Sequence, residues 1–564
     1  MSGWNLRGVL HIGLLLCSVW SVASVRAQDP PRNPLNQLFQ QLDKQLRGEP
    51  GDARQAARDE IDLRVPLDAD LSRRLEQAER LLSSERGNDA IPILQELVDE
   101  PADRAIRIRD GQWGSLQARA RQRLAELPPE LRLRYTELYS READSLLAEA
   151  QESESEALWL TVVRRFGTLP ASDTARRRLL ILSYARGDLD EAIRWGTELT
   201  RSASAQPTDA ARLATLLAMR GERQAAAELL SRIAPEQWPA ELQINDLQAW
   251  LERRLPDRNP EAALPATIPA ELHPEWSQPR IQRYRIVEAI QPLARLLREN
   301  GKPGLSTGEL LFAGSTVISR DLSGLHARDL QTGETRWRAA GHEQDQFESR
   351  LAAELDPTRA RSRQLEPYNV SDNRDDFENR PLANALFRDA VTPALTAAEE
   401  RIYTIEQQDP LQPISISYYY LRNQETTETP AWAVNELVCR DRESGRQLWA
   451  VGGPAIEPIF ARPLADSYFF GPPTPYRNSL FVIAEQRGDI FLPELAARTG
   501  EVQRSQLLAS AGLPLGQDPL RRMWRCRPVV SGDLIICPTT TGWVTALDLH
   551  TREIRWLTRL IPVE

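Results

Sequence analysis

Ala327-Arg-Asp-Leu-Gln-Thr-Gly-Glu-Thr-Arg-Trp337 decides the fold, because the chain repeats its design. A second copy is Cys439-Arg-Asp-Arg-Glu-Ser-Gly-Arg-Gln-Leu-Trp449, and a third is Ala546-Leu-Asp-Leu-His-Thr-Arg-Glu-Ile-Arg-Trp556. Asp and Thr or Ser can hydrogen-bond a turn backbone, and Gly supplies the positive φ that a short hairpin loop requires. Each copy therefore predicts two β-strands joined by a tight turn, with Trp on the returning strand.

The spacing of the turns predicts an array of such hairpins. Gly333 and Gly445 are 112 residues apart, Gly445 and Gly500 are 55 apart, and Gly500 and Arg552 are 52 apart. Blades of a β-propeller repeat every 40 to 55 residues or so, so about four blades are expected. The long first interval coincides with a polar, charge-dense stretch at 341–388, which we interpret as an insertion.

The copy around Gly500 is degenerate. It keeps the turn Arg498-Thr-Gly-Glu501 but has Ala496 in place of Asp and Arg504 in place of Trp. An apolar run precedes each hairpin and predicts a further strand. These runs are Leu310–Phe312 with Thr316–Ile318, Arg401–Ile405, Ser479–Ile483 and Asp533–Cys537.

At these residues the chain resembles the pyrroloquinoline quinone (PQQ)-like β-propeller repeat family, whose blades carry Ala-x-Asp-x-x-Thr-Gly-x-x-x-Trp. The resemblance covers 304–564 and implies a propeller in which the Trp packs between blades. The family includes quinoprotein dehydrogenases as well as cofactor-free scaffolds of the BamB type, and Leu534–Gly542 is similar to envelope propellers of planctomycete-type bacteria. The predicted structural positions of the blade motif are Asp329, Gly333, Trp337, Asp441, Gly445, Trp449, Gly500, Asp548 and Trp556.

The N-terminus predicts export. Residues 1–27 combine Arg7, an apolar stretch and a Val-Arg-Ala27 ending, which is typical of a cleaved signal peptide, and a polar linker follows at 28–60. The formal net charge is −10, and the arginines are dispersed among acids, so nucleic-acid binding is not expected. We expect a bacterial periplasmic or cell-envelope protein, cleaved after Ala27, without a transmembrane helix in the mature chain.

Residues 61–255 predict a helical region. Leu71, Leu75, Ala78, Leu81 and Leu82 follow one another at helical spacing. Gly187 and Gly221 are 34 residues apart in similar helix-turn-helix outlines, and Gly87 begins a third, which resembles tetratricopeptide (TPR)-like repeats. In these outlines Gly is expected to end the first helix of each pair. The alternative is an irregular helical bundle, and a Pro-rich connector at 256–303 closes the region.

The sequence offers little chemistry. No two histidines share metal-ligand spacing on one element, and His550 is expected to be a solvated or turn-bonding residue. Quinoproteins of the resembling family hold calcium through Glu, Asn and Asp and carry a catalytic Asp, often with a vicinal Cys-Cys disulfide, within eight blades. This chain has no Cys-Cys pair. We therefore predict no catalytic, cofactor-binding or metal-binding residue, with PQQ and calcium as the alternative cofactors.

Cys439, Cys526 and Cys537 are expected to be buried free thiols, with a Cys526–Cys537 disulfide as the alternative.

The predicted fold is α+β and multidomain: TPR-like helices followed by an all-β PQQ-like propeller. The predicted function is that of an exported, non-catalytic scaffold that binds protein partners in the envelope. The alternatives are a PQQ-dependent dehydrogenase, or a fragment of one, and a sensor of extracellular ligands. Four blades could close into a ring of their own. As part of a larger ring they would expose strand edges, so we also hypothesise a longer propeller, a partner that completes the ring, or helices that cover one side.

Overall fold

The computed structural model describes 68–233, 309–339, 389–407, 433–455 and 462–560, together with Trp276 and Arg295. Single gaps within these ranges fall at 85, 110–111, 203, 322–323, 512–513 and 517. The predicted signal peptide, the polar linker, the 341–388 insertion and nearly all of the connector lie outside the described residues. Among the residues described, no helix is long and apolar enough to cross a membrane.

The first described range is mainly helical, as predicted. Its helices are α1 Ala69–Leu82, α2 Gly87–Asp99, α3 Leu116–Ala125, α4 Pro129–Ser153, α5 Glu156–Arg165, α6 Pro170–Ala185, α7 Leu189–Thr200, α8 Pro207–Arg220 and α9 Arg223–Ser231. Asp68 caps α1 by accepting the amides of Asp70 and Leu71. The predicted apolar face of α1 packs into one core that runs through all nine of these helices.

The three glycines of the helix-turn-helix outlines differ in role. Gly187 lies between α6 and α7 with φ of 80°, and Gly221 ends α8 with φ of 95°, as a helix-ending glycine should. For Gly87 the prediction was wrong, because this residue begins α2 instead of ending a helix. A Cβ at Gly87 would lie 2.5 Å from the Leu131 side chain, so a close approach of α2 and α4 accounts for this glycine.

One β-hairpin interrupts the helices. β1 Ala105–Arg109 pairs antiparallel with β2 Gln112–Ser115, and Ser115 then caps α3 by accepting the Ala118 amide. This stretch falls within the predicted helical region, and the hairpin was not predicted. Ala105 belongs to a propeller core rather than to the helical one.

Four antiparallel sheets follow; three are meanders of four consecutive strands, and one has six strands. Blade 1 contains β3 Leu310–Ala313, β4 Thr316–Asp321, β5 Gly324–Asp329 and β6 Thr335–Ala339; blade 2 contains β7 Leu395–Ala398, β8 Arg401–Gln407, β9 Asn435–Asp441 and β10 Gln447–Gly452. Blade 3 contains β11 Tyr468–Phe469, β12 Thr474–Tyr476, β13 Ser479–Phe481, β14 Ala484–Gln486, β15 Asp489–Ala496 and β16 Val502–Ser510. Blade 4 contains β17 Val529–Ser531, β18 Leu534–Pro538, β19 Trp543–Asp548 and β20 Ile554–Arg559. Each predicted apolar run contains a strand, although Val482 and Ile483 lie between β13 and β14 and Asp533 lies in a turn.

Blade 3 has six strands because two of its four are interrupted. β11 and β12 pair with β14 and β13 respectively, and β13 and β14 both pair with β15. The first and second strands of the blade are thus each divided in two, while β15 and β16 remain long. The degenerate copy of the motif is therefore still a complete blade.

The blades stack face to face around buried apolar side chains. One core joins blades 1 and 2, another joins blades 2 and 3, and a third joins blades 3 and 4. The innermost strands β3, β7, β12 and β17 touch one another in that order. This arrangement confirms propeller-type blades within the described residues.

A segment from Pro519 to Arg527 touches all four blades. The Ala390 amide of blade 2 donates to the Met523 carbonyl, and the Cys526 amide donates to the Phe470 carbonyl of blade 3. Arg525 pairs with Glu309 at the start of blade 1. Arg521 reaches Thr540 of blade 4 at 3.2 Å. The segment thus ties the first blade to the last.

Candidate functional site

The Asp of each motif organises its own turn. Oδ1 of Asp329 accepts the amides of Gln331 and Thr332, both at 2.9 Å. Oδ1 of Asp548 does the same for His550 and Thr551, and Asp441 accepts the amide and hydroxyl of Ser444. Hydrogen bonds from the Thr332 amide, Arg336 and the Gln331 amide lower the pKa of Asp329 to about 2. The predicted role of Asp in the turn is confirmed.

The Trp of one blade lies on the glycine turn of the next. Gly445 has φ of 71°, and a Cβ there would be 2.5 Å from the Trp337 ring. The Trp337 indole N–H donates to the Arg442 carbonyl, three residues before that glycine, at 2.9 Å. Trp449 repeats the arrangement on Gly500, with its indole donating to the Ala497 carbonyl at 3.3 Å. We call this arrangement, an indole on a glycine turn of the neighbouring blade, a Trp seat.

A third Trp seat uses a residue that was not predicted from the sequence. Trp276 lies against Gly333, where a Cβ would be 2.6 Å from the ring, and its indole donates to the Leu330 carbonyl at 2.8 Å. No Thr-Gly turn precedes Trp276 at the motif spacing, so no repeat signal marks it in the sequence. Trp276, which lies in the predicted connector, therefore packs on blade 1.

The seam between blades 3 and 4 replaces the Trp seat with two arginines. Arg504 stands at the Trp position and donates to the Thr551 carbonyl of the next turn at 3.3 Å, while Arg552 stands at the Gly position with φ of 65°. At the other seams an indole packs on the turn glycine, and the Arg552 side chain would occupy the space of that indole. Arg in place of Gly at 552 is therefore compatible with Arg in place of Trp at 504. Arg552 instead forms a bidentate pair with Glu494, at 2.9 and 2.7 Å. Burial and the charges of Arg164 and Arg552 lower the pKa of Arg504 to about 9.

At this same seam the helical region attaches to the propeller. Asp103 is fully buried, and its backbone exchanges two hydrogen bonds with the side chain of Gln506, at 2.9 and 2.7 Å. Its carboxylate accepts the Ile554 amide of blade 4 at 2.9 Å and the Gln117 amide of α3 at 3.0 Å. Asp103 thus joins two blades to the helices.

Helix α7 makes the second attachment, through buried charges. Oε1 of Glu191 lies 2.8 Å from Nδ1 of His550, and Arg477 of blade 3 pairs with Glu191 and Asp188. Trp195 packs edge-on against the His550 ring, with centroids 5.6 Å apart. His550 is buried, so the expectation of a solvated residue was wrong, whereas the alternative of a turn-bonding residue holds, because its amide donates to Asp548 Oδ1. The turn is covered by α7, which no local pattern around His550 indicates.

Asp548 links its turn to the same helix. Arg194 of α7 approaches its carboxylate at 2.8 Å, and Arg555 pairs with it from the returning strand at 2.5 Å. Burial raises the pKa of Asp548, but the charges of Arg194 and Arg555 outweigh burial and hold it well below the ordinary range. For Glu191, burial is likewise outweighed by the hydrogen bonds from His550 and Arg477. Both carboxylates therefore stay ionised within the joint. We call these two attachments, through Asp103 and through α7, the helix–blade joint.

Trp556 occupies the motif position of the last blade but has no seat among the described residues. It pairs across the strands with Ala546, as Trp337 pairs with Ala327 and Trp449 with Cys439. Trp337 is 9% exposed, whereas Trp556 is 37% exposed. The described part of the chain provides no carbonyl that accepts its indole N–H and no glycine turn beneath its ring.

The motif carboxylates do not fit the calcium site of a quinoprotein. Asp329 and Asp441 are bonded to their own turns, and Asp548 is bonded to its turn and to two arginines. The described residues contain no group of three side chains arranged to hold a metal ion. Cys439, Cys526 and Cys537 are buried free thiols, and burial raises the pKa of Cys439 and of Cys526 to about 12.

Comparison with known proteins adds little. No protein-family model matches the chain, and no curated protein matches it. Among solved structures, it is similar to a computationally designed protein, Ika8, with 10% identity, a TM-score of 0.22 and coverage of 44% of this chain and 48% of that one. It is also similar to a europium-containing methanol dehydrogenase, with 11% identity, a TM-score of 0.26 and coverage of 51% and 46%. The chain spans about half the length of these structures, and the blade assignment rests on its own sheets.

Proposed function

We propose that this protein is an exported, non-catalytic scaffold of the bacterial cell envelope, which binds protein partners through its helices and its propeller. The observation that carries the proposal is the helix–blade joint. Asp103, Glu191 and Asp548 are buried acids that would be candidates for chemistry, yet each is fully engaged in holding the helical region on blades 3 and 4. Their contacts favour a positional role over a catalytic one.

The helix–blade joint supports a scaffold function because it holds the surface of the helices and the surface of the blades in a fixed relative position. Ion pairs that are buried and hydrogen-bonded are costly to break, by about 3–5 kcal/mol when one partner is removed. Helices attached in this way hold a constant position relative to the blades. A partner that touches both surfaces therefore meets a preformed site and loses less freedom on binding.

Capture from envelope extract tests the proposal. Tagged mature protein, incubated under mild crosslinking, is expected to recover a protein partner in proportion to the amount of bait. The variant Asp103→Ala/Gln506→Ala, which loosens the helix–blade joint, should recover less, whereas Gln447→Ala on an exposed strand position should recover as much as the parent. Equal recovery by all three baits, or none by the parent, contradicts the proposal.

A catalytic assay tests the rival class. Addition of pyrroloquinoline quinone and calcium to the mature protein is expected to change neither its absorbance nor the rate of dye reduction with alcohols or sugars. Dye reduction that depends on both additions would contradict the non-catalytic proposal. Mass spectrometry of the exported protein checks the expected cleavage after Ala27.

A further inference from the structure

We propose that Trp556 forms a Trp seat with a glycine-containing β-turn of another protein. The proposal rests on the proposed scaffold function and names the kind of partner that blade 4 would bind. It starts from a regularity of the described blades. Trp276, Trp337 and Trp449 each lie on a glycine turn, and each indole donates to the carbonyl three residues before that glycine.

Trp556 is presented as the seated tryptophans are. Its cross-strand partner Ala546 corresponds to Ala327 opposite Trp337, and each motif has a register shift just beyond that pair. The strand geometry that aims Trp337 at the next blade is thus repeated on the outer strand of blade 4. The two tryptophans differ in whether a turn covers the ring, because Trp556 is 37% exposed and Trp337 is 9% exposed.

The three existing Trp seats define the features that a turn needs in order to bind Trp556. The turn must have no Cβ at the position under the ring, because a Cβ would come within 2.5 to 2.7 Å of the indole at Gly445, Gly333 and Gly500. Its glycine must have positive φ, near the 71° to 77° of those three residues. It must also present a carbonyl to the indole N–H. A turn of the form Asp-x-x-Thr/Ser-Gly meets all three requirements.

The motif turns of a second copy do not supply this ligand. Gly333, Gly445 and Gly500 already lie under tryptophans, and the fourth turn carries the Arg552 side chain. None of the motif turns that the structure describes therefore leaves its glycine open to Trp556 of another copy. Glycines with positive φ and open space, such as Gly314 and Gly532, do not lie in Asp-x-x-Thr/Ser-Gly turns. The chemistry points to a blade-like turn on a different polypeptide.

Site-directed photo-crosslinking tests the inference in the full-length exported protein. A benzophenone amino acid is placed at position 556, and cross-linked peptides are identified by mass spectrometry. The expected product joins position 556 to a glycine-containing turn of another polypeptide. The matched control carries the same group at Trp524, which is 58% exposed and lies outside the motif, and it should not give this product.

Partner capture separates failure of the seat from failure of the scaffold function. Trp556→Ala should lower recovery of the cross-linked partner on the order of tenfold, as removal of a central tryptophan anchor does, while Trp524→Ala should leave it unchanged. Equal recovery with Trp556→Ala overturns the seat but leaves the scaffold standing. A cross-link only to this chain's own residues or to a second copy, or no cross-link at all, also overturns it. Circular dichroism of Trp556→Ala establishes that the variant is folded.

Discussion

Gly445→Ala is expected to destabilise the propeller far more than a surface substitution. Gly445 lies in a left-handed turn with φ of 71°, directly under the Trp337 ring. A Cβ would be 2.5 Å from one ring carbon and 2.8 Å from two others. Either the turn or the indole must move, and the Trp337–Arg442 hydrogen bond fixes the indole.

The magnitude has two parts. A left-handed conformation costs a residue with a Cβ about 1–2 kcal/mol. Overpacking against a fixed ring costs about 1–3 kcal/mol more. The free energy of unfolding should therefore fall by about 2–5 kcal/mol. With a urea dependence of about 3 kcal/mol per M, the unfolding midpoint should fall by about 1 M.

Gly314→Ala provides the matched control for urea unfolding followed by far-ultraviolet circular dichroism. Gly314 also has positive φ, of 61°, but no atom lies within 4 Å of the position of its Cβ. The control should therefore show only the backbone part, about 1–2 kcal/mol. A double-mutant cycle of Gly445→Ala with Trp337→Ala should give a coupling energy of about 1–3 kcal/mol.

Equal destabilisation by Gly445→Ala and Gly314→Ala would refute the reasoning. So would a coupling energy near zero between positions 445 and 337. Either result would mean that the indole adapts to the added methyl group, and that the Trp seat does not hold blades 1 and 2 together.

Three further predictions concern the helix–blade joint and the thiols. Gln506→Ala removes the partner of the backbone N–H of the buried Asp103 and leaves its C=O only a 3.4 Å bond from Arg104. It should therefore cost about 1–3 kcal/mol and increase hydrogen exchange at 103–117, whereas the exposed Gln447→Ala should change neither. The pKa of Asp548 in the folded protein lies below its unfolded value near 4, so the stability that this carboxylate contributes is complete above about pH 4 and is lost as the pH falls further. Asp548→Asn should therefore lower the urea midpoint at pH 7 and make the midpoint less dependent on pH between 7 and 3. An unchanged pH dependence would contradict this. Burial raises the pKa of Cys439 to about 12, so a thiol reagent at pH 8 should label the described cysteines only after unfolding, and rapid labelling of the native protein would contradict their burial.

The sequence predicted the blades because their determinants are local. Asp, Gly and Trp at fixed spacing specify a turn, its handedness and the position of a large ring, as Asp441, Gly445 and Trp449 illustrate. The apolar runs ahead of each hairpin specify the preceding strands. Regular spacing carried this information without any knowledge of long-range contacts.

The joint could not be predicted because its partners are far apart in sequence. Asp103 meets Gln506 and Ile554, and Glu191 meets His550, over separations that no local pattern encodes. Arg504 was interpreted as degeneracy of one motif copy and Arg552 only as the turn position of another, yet both lie at the seam where the helices attach. The Trp position of one blade and the Gly position of the next meet at one seam, and both are replaced here. Such a paired departure from the repeat is a sequence signal that marks an unusual seam.

The central claim is that the helical region is held on blades 3 and 4 by the helix–blade joint and not only by the chain that connects them. The most direct test inserts a specific protease site between Leu264 and Pro265 and cleaves the folded mature protein. The two fragments should remain together in size-exclusion chromatography, and Gln506→Ala/Asp548→Ala should separate them. Separation of the fragments with the joint intact would contradict the account.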